Sequence, residues 1–123
     1  LTPKATQADR GLKIARELVD LLEAKKADDI LLLDLQDVCS FADYFVLASG
    51  ISERTLEALK EDSVQHLKKA RLKRIPTVEG SAAGGWVLVD AGDVVLHLFS
   101  PRQRKYYRLE ELWKAGRVLL HLQ

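Results

Sequence analysis

The sequence predicts an α/β fold built on a mixed sheet, and three observations carry that expectation. Short apolar runs at Ile30–Leu35 and Tyr44–Ala48 are too brief for helices and suit buried strands. Two longer stretches, one starting near Thr6 and one at Ser52, repeat apolar residues at helical spacing. A pair of alternating segments, Trp86–Asp90 and Asp93–Phe99, meets at Ala91-Gly92 and reads as a hairpin. Helix, strand, strand, helix, strand, hairpin, helix is the order of one α/β layer structure, with helices packed on the sheet.

Each element has its own physical reason. Thr6 and Asp9 stand at capping-box spacing and open the first helix, whose stripe is Leu12, Ala15, Leu18, Val19 and Leu22. After the second strand, Gly50 permits a tight turn and Ser52 can cap the next helix. Leu56, Leu59, Ser63, Leu67 and Ala70 form its inner face. Ile75–Val78 is expected as a strand near a sheet edge, because Pro76 lacks the N–H that a central strand needs. Ser81–Gly85 reads as a flexible loop, and Pro101 opens a short helical stretch. No repeat or second domain is evident, so residues 1–123 are expected to form one compact domain.

Composition narrows the class. With 47% hydrophobic residues in 123, the chain can bury a core without staples. One cysteine, Cys39, excludes an internal disulfide framework and fits a reducing compartment. No apolar run approaches the roughly 20 residues of a membrane span, and no secretory apolar region is seen, so a cytoplasmic protein is expected. A processed organellar protein would read the same way. The net charge of +1 argues against a general nucleic-acid coat, while leaving room for local phosphate contacts.

The hairpin sets up two faces. If Ala91-Gly92 is a two-residue turn, Trp86 lies opposite His97 and Leu88 opposite Val95. Alternation then puts Val87, Val89, Val94, Leu96 and Leu98 on one face. The other face carries Trp86, Leu88, Val95, His97 and Phe99. The aliphatic face suits packing under helices. The aromatic one is either an ordinary half-covered sheet face or a contact surface.

Other constellations weigh differently. Glu79, Asp90, Asp93 and His97 are the best polar cluster, but no metal-ligand motif accompanies them, and aspartates flanking a turn serve local hydrogen bonds. No metal and no cofactor is expected. His66 and His121 have no partner nearby in sequence, and Cys39 reads as a small buried apolar residue. Lys68, Lys69, Arg71, Lys73 and Arg74 either complement a helix C-terminus, the commoner reading, or make a phosphate contact on RNA. Arg102, Arg104, Lys105 and Arg108 surround Tyr106 and Tyr107 in a mixture suited to a wet interface. Leu109, Leu112 and Trp113 share a face if helical, either docking the helix or extending the surface of Trp86 and His97.

Four blocks, in order, resemble the Iojap family, the bacterial ribosomal silencing factors. They are Ala42–Ser52 (ADYFVLASGIS), Thr77–Gly80 (TVEG), Gly85–Phe99 (GWVLVDAGDVVLHLF) and Arg104–Trp113 (RKYYRLEELW). Thr77 stands where the family commonly has His, and Ala91 where a bulkier residue is common. The resemblance implies a nucleotidyltransferase-like sheet. It also implies binding to the large ribosomal subunit, on its fourteenth protein, where it blocks docking of the small subunit. It implies a homodimer when free, and partner-contact candidates Trp86, Leu88, His97, Tyr107, Leu109, Leu112 and Trp113.

The competing class is a nucleotide-binding or nucleotidyltransferase enzyme. Such enzymes need a Gly-Ser turn and two carboxylates one residue apart on a strand, so that both reach one metal. Here Ser49-Gly50 runs in the reverse order, and no two acidic residues are separated by a single residue. Fold likeness alone does not carry activity, so no enzyme is expected.

Overall fold

A computed structural model describes residues 7–123. The elements are α1 (Gln7–Ala24), β1 (Asp28–Asp34), β2 (Tyr44–Ser49), α2 (Glu53–Lys69), β3 (Thr77–Ser81), β4 (Trp86–Asp90), β5 (Val94–Phe99), α3 (Pro101–Tyr107), α4 (Leu109–Leu112) and β6 (Arg117–Leu122). The strands form one six-stranded sheet in the order β3-β4-β5-β2-β1-β6. Only the central β2–β5 pair is parallel, so the sheet is mixed. β2 and β5 are buried along their whole lengths, as strands with both faces covered must be.

One face of the sheet packs under α1 and α2. Ala15, Leu18, Val19 and Leu22 of α1 and Leu56, Leu59 and Leu67 of α2 meet Val46, Ala48, Val87, Val89, Leu96 and Leu98. The helix stripes and the aliphatic hairpin face are therefore the two halves of one core. Ser52 caps α2 as expected, its Oγ accepting from Thr55 N at 3.1 Å. Gly50 serves close approach: a Cβ there would press on Leu56 at 3.0 Å. Thr6, expected to cap α1, lies outside the described residues.

Three expectations need correction. The hairpin turn is Gly92-Asp93, closed by Ala91 N–H donating to Val94 O at 2.9 Å. Gly92, with φ of 91°, supplies the left-handed first position that a two-residue hairpin of this kind asks for. The register therefore moves by two: Trp86 pairs with Phe99 and Leu88 with His97. A shift of two preserves the faces, so the aromatic and aliphatic sides remain as read. Second, β3 begins at Thr77, just past Pro76, and extends to Ser81, leaving a shorter turn before β4. It is a sheet edge, as the proline indicated. Third, Arg117–Leu122 forms the opposite edge strand, paired antiparallel with β1. The Gly116 break followed by Val118-Leu119-Leu120 was the available signal for it.

Candidate functional site

The second face of the sheet carries the aromatic residues. Leu31 and Leu33 of β1, Phe45 and Leu47 of β2, and Val95 and Phe99 of β5 form a second buried cluster. The segment after β1 covers it with Leu35 and Ala42, and α4 covers it with Leu109. Cys39, Trp86, Leu88 and Trp113 pack around the margin, partly open to solvent. Cys39 is thus a half-buried packing residue.

His97 is the hub of this face. It is 4% exposed, with its ring 4.7 Å from that of Phe45 and nearly parallel to Phe99 at 6.1 Å. Trp86 Nε1–H donates to His97 Nδ1 at 3.3 Å, which places the ring proton of the neutral imidazole on Nε2. Nε2 is buried and without a hydrogen-bond partner. Burial disfavours the charged ring and lowers its pKa to about 4, so His97 is neutral at physiological pH.

Two aromatic groups flank His97. Trp86 lies 4.4 Å from Tyr107 and 5.0 Å from Phe99. On the other side Trp113 meets Phe45 edge-on at 5.5 Å and Phe41 at 6.1 Å. Such tilted and edge contacts suit the ring quadrupoles. Phe41 is 63% exposed and Leu112 is 71% exposed, while Tyr106 and Tyr107 also face solvent.

The seven contact candidates separate by depth. Leu112 and Tyr107 are exposed; Trp86, Leu88 and Trp113 are half-buried; His97 and Leu109 are buried. Leu109, Leu112 and Trp113 do not share one environment, because α4 is a single turn ending at Leu112. Arg108 at φ 50° separates α4 from α3, so Leu109 turns inward and Leu112 outward. Sequence reading missed Phe41 and Phe45. The Ala42-Asp43 break between them gave no period, and only the fold joins them to Trp113.

Arg104 also departs from its expected place among the surface cations. It is 6% exposed, and Nη1 donates to Asp29 O at 2.6 Å and to Ser49 Oγ at 3.1 Å. Its Nε lies 3.4 Å from Glu110 Oε1, and Nη2 3.5 Å from Asp29 Oδ2. Arg104 therefore ties α3 to the bulged start of β1, where Asp29 adopts φ 49°, and to the end of β2. Ser49, the serine of the Ser-Gly turn, is occupied by this structural contact. Arg102, Lys105 and Arg108 remain exposed.

The remaining polar groups serve local structure. Asp90 Oδ1 accepts from Gly92 N at 2.8 Å, holding the turn, and Glu79 stands exposed across from Leu88. The fold gives both outlying histidines distant partners: His66 pairs with Glu17 at 2.9 Å and His121 with Asp29 at 2.6 Å. Among the described residues no three His, Cys, Asp or Glu side chains converge as a metal-ligand set. Among the same residues no helix is long and apolar enough to cross a membrane.

Comparison with known proteins places this architecture. Residues 8–121 match the family described as ribosomal silencing factor during starvation, RsfS. The chain is 36% identical over 116 residues to the ribosomal silencing factor RsfS of Zymomonas mobilis, covering 94% of this chain and 86% of that protein. It is 38% identical over 102 residues to the Bacillus subtilis RsfS, covering 83% of each. It is also 39% identical over 98 residues to the mouse protein named mitochondrial assembly of ribosomal large subunit protein 1, covering 78% of this chain and 43% of that one. A crystal structure of a Chromobacterium violaceum protein superposes with a TM-score of 0.79 at 38% identity, covering 85% of this chain and 86% of that one. These matches bear out the resemblance carried by the four sequence blocks: the chain belongs to the RsfS, or Iojap, family of ribosomal silencing factors, which act on ribosomes without catalysing a reaction.

Proposed function

We propose that this protein silences ribosomes by steric exclusion, binding the large subunit on its fourteenth protein and leaving no room for the small subunit. The observation that carries the reading is the aromatic face. Trp86, Leu88, Tyr107, Leu112 and Trp113 present a half-open apolar surface, with Phe41 beside it. Surfaces that combine Trp, Tyr and Leu with a polar rim are of the kind that dock proteins. His97 and Leu109 hold this surface from beneath. Exposed Arg102, Lys105 and Arg108, with Tyr106, supply a rim able to meet ribosomal RNA phosphates.

The same face covers itself in a homodimer when no ribosome is present, because an apolar patch tends to be buried by its own copy. Dimer and ribosome complex then compete. Residues 1–123 act as one domain in this reading, supported by a continuous sheet that joins early and late segments. A cytoplasmic location follows for a bacterial chain, whereas two relatives are named mitochondrial and chloroplastic.

The test mixes purified subunits in a sucrose gradient. Protein added before mixing should lower the yield of joined ribosomes, and protein added after joining should do less. Equal joining with and without saturating, demonstrably bound protein would overturn the exclusion mechanism.

A further inference from the structure

On the helical side of the sheet, away from the aromatic face, a cleft of about 370 Å³ opens between α1, the segment following α2, and the β4–β5 turn. Its apolar floor includes Ile14, Leu72 and Val94, which pack on the main core. Its rim carries Lys13, Arg71, Lys73 and Arg74. The side chains of these four residues are solvent-exposed and make no ion pair or hydrogen bond with another described residue. Two carboxylates also line the cleft: Glu17, engaged by His66 at 2.9 Å, and Asp93, which like the lining Arg10 has an interaction of its own. The chain as a whole carries only +1, so the rim is a local excess of positive charge.

The sequence reading weighed Arg71, Lys73 and Arg74 as complements of a helix C-terminus, the commoner reading, against an RNA phosphate contact. The geometry assigns more to them. α2 ends at Lys69, and Arg71 at φ 53° turns the chain back, so that Leu72 is anchored in the floor while Arg71, Lys73 and Arg74 line the opening. Arg71 directly follows the C-cap Ala70, whereas Lys73 and Arg74 lie two and three residues further on, past the last turn. Lys13 faces them from α1. We propose that this cleft binds a nucleotide, its linked phosphates on the cationic rim and its ring system on the apolar floor. The volume lies in the range of small-molecule sites. Cations on two separate segments suit a chain of phosphates better than a single one. No aromatic side chain lines the cleft to stack successive bases, which disfavours a nucleic-acid strand. The site is on the other side of the sheet from the proposed ribosome-docking face, so the two can be occupied together.

The test is a titration of the full chain, labelled with nitrogen-15, by ATP, inorganic pyrophosphate, adenosine and a short single-stranded RNA. Saturable amide shifts around Gly11, Arg74 and Gly92 are expected with ATP, weaker ones with pyrophosphate, and none with adenosine. The double variant Lys73→Glu, Arg74→Glu should weaken ATP binding at least about tenfold, with circular dichroism confirming that it is folded. No saturable binding of ATP, an unchanged affinity in the folded variant, or tighter binding of the RNA than of ATP would each overturn the proposal. Subunit joining is measured separately with the same variant, so failure of nucleotide binding leaves the exclusion mechanism to stand or fall by its own assay.

Discussion

Acid should expose the cost of keeping His97 neutral. Its pKa of about 4 in the fold compares with the ordinary value of 6.5, because burial disfavours the charged ring. The unfolded chain therefore binds this proton more readily, and stability falls as pH drops from 6.5 through 4. Above 6.5 both states are neutral and the cost vanishes. Below 4 both are charged and the loss is complete, at about 3 kcal/mol. Between about pH 7.5 and pH 4.5 this one group should remove about 2.5 kcal/mol. Urea unfolding of the wild type and of His97→Phe at both pH values isolates it. The variant keeps a planar ring against Phe45 and Phe99 but cannot titrate, and titration of the carboxylates is common to both proteins. His97→Phe is expected to be less stable at neutral pH, having lost the Trp86 hydrogen bond, and to lose about 2.5 kcal/mol less on acidification. Equal acid losses in the two proteins would refute the argument that His97 is neutral because it is buried.

Three further outcomes can be checked. Trp86→Ala removes a ring packed on Tyr107 and Phe99, and should weaken large-subunit binding by about 2 kcal/mol, roughly thirtyfold, in co-sedimentation; normal binding would remove Trp86 from the docking face. Arg104→Met should cost about 2–4 kcal/mol and lower Tm by roughly 10 °C, because Ser49 Oγ and the Asp29 carbonyl lose their donor, while partly exposed Glu110 regains water. An unchanged melt would mean that water replaces the guanidinium without loss. Gly80→Ala places a Cβ against the Trp86 carbonyl oxygen at φ 78°, so a thermal melt should show a loss of about 1–3 kcal/mol.

Period carried the sequence reading wherever burial was one-sided. The stripes of α1 and α2 and the alternation of β4 and β5 each reached the core as expected, because a slipped register would have put valines in water. The hairpin turn was misplaced by one residue since Ala91-Gly92 and Gly92-Asp93 both offer a glycine, and it is the Ala91–Val94 hydrogen bond that distinguishes them. β6 was missed because an edge strand is half exposed and its pattern is correspondingly blurred. The candidate site was legible in its hairpin residues and less so elsewhere. Arg104 looked like its exposed neighbours, and nothing local to residue 104 announces that Asp29 and Ser49 converge on it. Phe41 and Trp113 meet only through the fold.

The pairing of β1 with β6 bears on how this chain is made. β1 holds Ile30-Leu31-Leu32-Leu33 between two antiparallel neighbours, and β2 begins ten residues after its end. Its outer neighbour comes much later: Arg117, which bonds Asp34 at the far end of that ladder, is 83 residues downstream. At about 5–20 residues per second, a ribosome needs roughly 4–17 seconds to bridge that interval. Until it does, the outer rim of an aliphatic strand has its amides and carbonyls unpaired, which is the template that recruits other nascent chains. Arrest or truncation between β1 and β6 should therefore yield aggregates rather than a soluble fragment, and a trigger-type chaperone holding that rim would raise the soluble yield.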